Sequence, residues 1–409
     1  MFTRIKINES DLNKTQIVLL SISMVGLLLP INISSFLLIV FVVFSIIKQI
    51  FYHKTAKSFN LIALLFSGFY LFYVASLFYS NNIHIAFRLL ERNISWFILP
   101  VIFSLGIHST KEERFKTLIP FAIATQLFAL FFLVVALFNF LQTGKAENFY
   151  YTELTSILDF HPVYFSLYLL FSLSIFVYGY FEKQKNIPVS LMIGLFLFDI
   201  LMLILLSSKN ILFVSILIFL ITLIKNYKNQ KWLLVLFSLS ILFLLRFTTT
   251  KERIQESLFS KWELLSKDKF LYNDPFTGAT LRLITWKFVL LEMKNNNYLI
   301  GTGSGDSQEL IDDVYKKHKM DDAGYLGLNM HNQFLEFFVS FGVIGLLYFL
   351  IILFVCFKKA IKQNDYLYLI FLFSFSFMSL TESNLKLHRG IVFFVLLNSL
   401  MYFSKYKKV

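Results

Sequence analysis

Cysteine is almost absent from this sequence, since Cys356 is the single one among 409 residues. An intramolecular disulfide is therefore excluded, and so is a metal site built from several thiolates. Clusters of His, Asp and Glu with the spacing of metal ligands are also lacking. We therefore expect neither a metal nor a cofactor, and we interpret Cys356, which lies in an apolar run, as a packing residue.

Charged residues are scarce as well. Only 15% of the residues are Asp, Glu, Lys or Arg, whereas 57% are hydrophobic, which excludes a soluble domain of this length. We find no internal repeat of the kind that marks an inverted-repeat transporter. No small-residue cleavage site follows the first apolar run, so we expect no cleavable signal peptide.

Long apolar runs dominate what is present. A transmembrane helix needs about 20 apolar residues, and runs near this length recur about twelve times. We predict an all-α polytopic membrane protein with about twelve transmembrane helices and one large extracytoplasmic loop that contains amphipathic helices. The predicted spans are residues 16–31, 34–51, 59–79, 95–109, 117–141, 161–181, 187–206, 210–225, 231–247, 334–357, 366–380 and 389–404. They divide the chain into nine spans in residues 1–247, the loop at 248–333, and three spans in 334–409.

The net charge of +13 comes from the distribution of Lys and Arg. More than half of the 38 Lys and Arg residues fall on the side of the spans that holds both termini, and the short loops on the other side hold few. The positive-inside rule then makes the termini cytoplasmic and places the large loop outside the cytoplasm. No basic patch remains for a nucleic acid, so the lipid bilayer is the expected partner.

The loop at 248–333, which we call the polar segment, contains most of the candidate functional residues. Apolar residues at helical spacing predict a surface-lying helix over Arg253–Phe270 and a second amphipathic helix over Thr280–Lys294. We expect the polar stretch Asp306–Gly327 to be mobile. The polar segment ends at His331, where the next apolar run begins.

Arg282 is the first candidate. Arg282, Trp286, Val289 and Met293 recur at i, i+4, i+7 and i+11, which places the arginine on the apolar face of the second helix. A buried arginine needs an anionic partner because an unpaired buried charge is costly. Two interpretations stay open: a structural ion pair with an acid of the polar segment, or a bidentate clamp on a phosphate.

His331 is the second candidate. We predict it in the first turn of the tenth span, with Asn329 as the N-cap and with Asn332 and Glu336 together on a neighbouring face. An imidazole at a helix N-terminus can act near neutral pH as a general base or as a cationic donor. The alternative is a solvated interfacial histidine, and Glu336 either orients the site or is an interfacial acid.

Three further cations lie outside the cytoplasm in this topology. Arg88 and Arg92 share a helical face beyond the third span, and Lys209 lies in a short turn between the seventh and eighth spans. Their position runs against the positive-inside rule, so each is expected to have a partner. A phosphate ligand is one interpretation, and pairing of the arginines with Glu91 is the other.

A resemblance emerges from these residues together. Gly303 belongs to a Gly-x-Gly-x-Gly run at 301–305, which by itself indicates a tight turn or a phosphate cradle built from backbone amides. Arg282-x3-Trp286, that run, and His331-Asn332 opening a span with Gly342-Val-Ile-Gly345 resemble the O-antigen ligase family. Thr381-Glu382-Ser383 and Trp96-Phe-Ile-Leu-Pro100 are similar to the family's flanking segments.

The resemblance implies a glycosyltransferase of the bacterial inner membrane with a large periplasmic loop. Such enzymes transfer a glycan from an undecaprenyl-diphosphate carrier to an acceptor hydroxyl without a metal, and ligases use lipid A-core as the acceptor in lipopolysaccharide biosynthesis. The family's loop arginine corresponds to Arg282 and its histidine to His331, so these are the expected catalytic residues. A further family arginine falls on Lys209, where lysine keeps the charge but not the bidentate fork. The expected substrate-binding residues are Lys209, Arg88, Arg92, Trp286, Gly303 and Asn332.

Other functions remain open from the sequence. A polymerase of the same superfamily would use another carrier-linked repeat as acceptor, and a protein-glycosylating relative would use a polypeptide. A transporter of lipid-linked glycan belongs to a different class and would show repeat symmetry and polar residues at mid-membrane. Only Asp199 lies deep in a predicted span, and its role is left open.

Overall fold

The structure is a computed structural model, and it describes residues 9–52, 60–106, 110–182, 188–207, 211–215, 262–295 and 297–404. Within these ranges the chain forms helices and turns and no strand, which confirms the predicted all-α class. The α-helices are α1 (Glu9–Gly26), α2 (Ile31–Tyr52), α3 (Leu61–Gly68), α4 (Tyr70–Ser76), α5 (Ile83–Arg92), α6 (Ser95–Gly106), α7 (Lys111–Thr143), α8 (Tyr151–Thr155), α9 (Pro162–Phe181), α10 (Val189–Leu205), α11 (Gly278–Met293), α12 (Ser307–Lys317), α13 (Gln333–Lys362), α14 (Tyr366–Ser379) and α15 (His388–Phe403).

In the part of the chain that the structure describes, four helices are long and apolar enough to cross a bilayer, namely α2, α7, α9 and α13. Shorter apolar helices are the α3–α4 pair, α10, α14 and α15. The predicted spans at 210–225 and 231–247 lie largely outside the described residues. The total of twelve spans and the side on which the polar segment lies stay predictions.

The longest helix, α7, shows how the sequence sets the ends of an element. Thr110 Oγ1 accepts a hydrogen bond from Glu113 N at 3.2 Å, and Glu113 Oε2 accepts one from Thr110 N at 2.8 Å, which forms a capping box. The helix stops at Gly144, whose left-handed φ of 68° only glycine adopts without strain. With 33 residues α7 is about 50 Å long, more than a bilayer's apolar core requires.

Two helices, α9 and α15, form the centre of the bundle, and nearly all of their side chains are buried. Helices α7, α10 and α14 pack on α9, and α6 packs on α15. Tyr168 of α9 stacks on Phe393 of α15 with ring centroids 4.4 Å apart. These two helices also support the site, because their N-termini face the loop that joins α14 to α15.

The described part of the polar segment has its own hydrophobic core. Ile284, Val289 and Met293 on one face of α11 pack with Ile311 and Tyr315 of α12. The second amphipathic helix predicted from the sequence is therefore confirmed, with bounds within two residues of those expected. Of the first, over Arg253–Phe270, residues 253–261 lie outside the described residues, and the described half contains a short 3-10 helix at Trp262–Ser266.

The expectation of a mobile stretch at 306–327 is wrong over its first half. Helix α12 occupies Ser307–Lys317 and buries Ile311, Val314 and Tyr315. These residues recur at i, i+3 and i+4, a helical spacing that the surrounding charges obscured. The helix brings Gln308, at its start, towards the loop between α14 and α15.

Helix α13 is broken near its N-terminal end. Gly342 has φ 66° and ψ −166°, so the regular hydrogen bonding stops there. The freed carbonyl oxygens of Val339 and Ser340 accept hydrogen bonds from the backbone N–H groups of Thr302 at 2.9 Å and Gly303 at 3.0 Å. The glycine-rich run of the polar segment therefore inserts into the break of the helix.

The other side of the break is satisfied in the same way. The N–H groups of Val343 and Ile344 donate to the carbonyl oxygens of Tyr298 at 2.9 Å and Leu299 at 3.2 Å. A Cβ on Gly301 would come within 2.6 Å of the α13 backbone, so only glycine permits this approach. This interlock between 298–303 and α13 fixes the polar segment to the helix that follows His331.

Candidate active site

His331 lies just before α13 and not in its first turn. The N-cap is Asn332, whose Oδ1 accepts from the N–H groups of Phe334 at 3.0 Å and Leu335 at 3.1 Å. Asn329, the expected N-cap, instead accepts from His331 N at 2.8 Å. His331 has a left-handed φ of 48°, and this bend turns its side chain out of the helical path.

Glu382 joins the two catalytic candidates. Its Oε2 lies 3.0 Å from His331 Nδ1, and its Oε1 accepts a hydrogen bond from Arg282 Nη2 at 3.0 Å. The Glu382 side chain is 14% exposed, and those of Arg282 and His331 are 30% and 32% exposed. Arg282 and His331 thus meet on one largely buried carboxylate while each keeps a surface towards solvent.

This arrangement leaves specific atoms for a substrate. Because Nδ1 of His331 faces Glu382, the nitrogen left for an incoming hydroxyl is Nε2. A carboxylate on one ring nitrogen fixes the orientation of an imidazole and stabilises its protonated form. Arg282 uses Nη2 on Glu382, and its remaining N–H donors can bind a second anion.

Helix α11 holds Arg282 in place. The helix starts with a capping box in which Thr277 and Thr280 bond reciprocally, and Arg282 lies in its first two turns. One turn later, Trp286 Nε1 donates to the carbonyl oxygen of Met330 at 2.7 Å. The predicted face of the helix therefore does reach the segment of His331, with Trp286 bonded to the residue that precedes it.

A family model described as O-antigen ligase matches residues 193–350, a stretch that includes both Arg282 and His331. Over this stretch the chain is similar to the O-antigen ligase family. This confirms the resemblance seen in the sequence, and the matched stretch ends before Glu382. No curated protein matched the chain in a separate comparison.

The glycine-rich run at 301–305 has a structural use. The amide of Gly303 donates to Ser340 O, and that of Gly305 donates to Ser80 Oγ at 3.2 Å. A Cβ on Gly303 would lie 2.2 Å from Ser80 Oγ. The geometry therefore favours the tight turn over the phosphate cradle, since these amides already donate within the protein.

The two arginines of α5 differ from each other. Arg92 is half-buried, and its Nη1 donates to the carbonyl oxygen of Lys386 at 2.9 Å. Arg88 is exposed on the surface of α5. In the part of the chain that the structure describes, no ion pair joins Glu91 to either arginine. Lys209 lies outside the described residues.

His161 borders the same region from the N-terminus of α9. Its Nδ1 is buried and has no hydrogen-bond partner among the described residues, and its ring packs edge-on against Tyr164 at 5.8 Å between centroids. Burial lowers the pKa of His161, the charge of Glu382 acts in the opposite direction, and His331 lowers it further. We expect a neutral imidazole beside the acid at neutral pH.

Sequence reasoning missed the role of Glu382. The segment Thr381-Glu382-Ser383 was recognised, but its partners are 51 and 100 residues away in the chain. The available signal was chemical, since Arg282 on an apolar face required an acid. The sequence directed that search to the acids of the polar segment, whereas the partner comes from the loop between α14 and α15.

Proposed function

We propose that this protein is a membrane glycosyltransferase that transfers a glycan from an undecaprenyl-diphosphate carrier to an acceptor hydroxyl at the periplasmic face of the inner membrane. The specific reaction we propose is ligation of O-antigen to lipid A-core. The observation that carries this proposal is the Arg282–Glu382–His331 constellation, in which Arg282 and His331 lie within the stretch that is similar to the O-antigen ligase family.

The acceptor step uses His331. Its Nε2 takes the proton of the acceptor hydroxyl while that oxygen forms a bond to the anomeric carbon of the glycan. Glu382 holds Nδ1 and balances the positive charge that the imidazole gains. His331 and Glu382 together therefore act as base and orienting acid.

The donor step uses Arg282. As the bond between the anomeric carbon and the diphosphate oxygen breaks, negative charge grows on the leaving diphosphate, which keeps the electron pair. A guanidinium is always protonated and binds phosphate oxygens with geometric specificity. Arg88 is an exposed cation that could add to this binding, and we propose the same for Lys209.

Transfer from a lipid-linked glycan by the purified full chain tests the proposal. We expect Arg282→Ala and His331→Ala each to lower the rate of transfer by at least about 100-fold. Lys294→Ala is a matched control, because Lys294 is an exposed cation at the end of the same helix. Near-normal transfer by both Arg282→Ala and His331→Ala at normal expression would contradict the proposed catalytic roles of these two residues.

The product distinguishes the ligase from its relatives. A deletion strain whose lipid A-core lacks any attached polymer indicates ligation, and a single attached repeat indicates polymerisation. An unchanged surface glycolipid profile, combined with no transfer in the purified system, would point to protein glycosylation or to transport.

A further inference from the structure

Glu336 is a buried acid that the proposed chemistry does not use. It lies in the first turn of α13, and its side chain is 6% exposed. One of its oxygens, Oε1, faces three donors: Met330 N at 3.2 Å, Ser383 Oγ at 3.0 Å and Lys386 Nζ at 3.4 Å. Such a buried carboxylate requires donors of this kind because an unpaired buried charge is costly.

The partners of Glu336 belong to the two segments that meet in the site. Met330 directly precedes His331, and Ser383 directly follows Glu382. A single oxygen atom of Glu336 therefore ties together the segment of the base and the segment of its orienting acid. The distance between His331 and Glu382 depends on this tie as well as on their own contact.

The backbone at His331 needs such support. A residue other than glycine with a left-handed φ costs on the order of 1–3 kcal/mol and persists only where its surroundings hold it. Asn329 Oδ1 accepts from His331 N at 2.8 Å and lies 3.2 Å from Ser383 Oγ, whose single proton is shared between Asn329 and the closer Glu336 Oε1. The Ser383 hydroxyl thus lies between Glu336 and Asn329, so all of these groups converge on the bend.

Lys386 extends the tie to the rest of the fold. Its Nζ donates to Gln308 Oε1 of α12 at 2.8 Å, and its carbonyl oxygen accepts from Arg92 of α5. A cavity of about 40 Å³ lies beside it, lined by Asn93 and Glu336 among others, and is large enough for a water. The loop that carries Glu382 is therefore fixed from α5, α12 and α13 together.

We propose that Glu336 is a positioning residue that holds His331 and Glu382 at their working distance through Met330, Ser383 and Lys386. The inference rests on the proposed glycan transfer. Glu336 touches no substrate in this scheme, so its loss misplaces the base and leaves the binding of the lipid-linked donor intact. Misplacement of a catalytic group by about 1 Å can cost about 100-fold in rate.

Steady-state kinetics of transfer with the full chain test this role. We expect Glu336→Ala to lower kcat by between about 10- and 100-fold, with KM for the lipid-linked donor within about threefold of its normal value. Glu336→Gln should retain a higher kcat, because an amide oxygen still accepts from Met330 N and Ser383 Oγ. Glu292→Gln is the control, since Glu292 pairs with Lys317 at 2.6 Å on the surface of the polar segment and should leave kcat unchanged.

A double variant tests the shared link. Glu336→Ala and Ser383→Ala remove the same contact. The fold-decrease in kcat of the double variant should therefore be smaller than the product of the fold-decreases of the two single variants. A loss equal to the product would show that the two residues act independently and would overturn the inference.

His331→Ala and Arg282→Ala in the same preparation separate the two proposals. If these abolish transfer while Glu336→Ala keeps kcat within about threefold, or changes only KM, the positioning role is wrong and the proposed function stands. If His331→Ala and Arg282→Ala remain active, the proposed function fails, and the positioning role fails with it.

Discussion

His331 and Glu382 meet through Nδ1 and Oε2 at 3.0 Å although 51 residues separate them in the chain. The other oxygen of the same carboxylate is bonded to Arg282. One acid therefore serves the group that accepts a proton and the group that binds a diphosphate in the proposed reaction. Its removal should affect both of these groups, whereas removal of Arg282 or of His331 affects one of them.

Glu382→Ala should lower the rate of transfer by at least about 100-fold, because the imidazole loses its orientation and the arginine loses its anchor. The rate of Glu382→Gln should fall less than that of Glu382→Ala, because the amide oxygen still accepts from one of the two partners. It should not reach the normal rate, because the amide carries no charge and loses the other partner. Initial rates at saturating lipid-linked donor measure the effect. Glu309→Gln changes an exposed acid of α12 in the same way and should not alter the rate; equal rates for Glu382→Ala and Glu309→Gln would contradict the role of Glu382.

Two glycines with similar backbone angles should respond differently to alanine. Gly301 has φ 76° and its Cβ would meet the α13 backbone at 2.6 Å, whereas Gly324 has φ 80° and nothing within 4 Å. Gly324→Ala should cost only the strain of a left-handed alanine, about 1–2 kcal/mol. Gly301→Ala adds a backbone clash, so it should lower the midpoint of thermal unfolding in detergent by clearly more than Gly324→Ala does. Equal shifts would show that the backbone of 298–303 and α13 moves apart enough to accommodate the methyl group.

The buried ion pair between Arg114 of α7 and Asp365 before α14 should be sensitive to the loss of one partner. Both side chains are fully buried, and Arg114 Nη2 donates to Asp365 Oδ1 at 3.0 Å. Asp365→Asn leaves a buried guanidinium uncompensated and should cost about 3–5 kcal/mol in the free energy of unfolding. Thermal unfolding in detergent measures this loss of stability as a lower unfolding midpoint.

An exposed pair in the same helix is the control for that prediction. Glu112 and Lys116 lie 2.7 Å apart with both side chains largely exposed, so Glu112→Gln should leave the unfolding midpoint unchanged. If Asp365→Asn also leaves the midpoint unchanged, Arg114 does not depend on Asp365 for its burial.

His161 should make the stability of the fold depend on pH. Its pKa in the folded state is lowered from the ordinary 6.5 by burial, so the unfolded chain binds a proton more readily than the folded one. The stability contributed by the neutral ring is fully present above about pH 6.5 and is lost as the pH falls below that value. Thermal unfolding midpoints measured from about pH 8 to about pH 5, a range that brackets the ordinary pKa of histidine, should fall more for the unsubstituted protein than for His161→Gln. Parallel curves would contradict the prediction.

Much of the fold is readable from local pattern. Apolar runs and helical spacing are properties of neighbouring residues, so α9, α11 and α13 appear where the sequence predicts them. The predicted cap of α13, Asn329, is wrong, because Asn329 and Asn332 are both chemically suitable and only the bend at His331 decides in favour of Asn332. That bend depends on contacts with a distant loop.

The site was predictable only in part for the same reason. Arg282 and His331 stand out by residue type and position, whereas Glu382 becomes meaningful only when α14 and α15 bring it beside them. The run at 301–305 shows the opposite case: a pattern typical of anion binding is used to fill a break in a helix. Local chemistry identifies candidates, and long-range packing assigns their partners.

The order in which the chain is synthesised gives the Glu382 contact one more consequence. Arg282 and His331 emerge from the ribosome before the acid that joins them, which follows by 100 and 51 residues. A nascent chain without α14 and α15 would hold Arg282 and His331 but no shared carboxylate. Completion of the site therefore requires the packing of the last two helices, so an incomplete chain would be inactive in the proposed reaction.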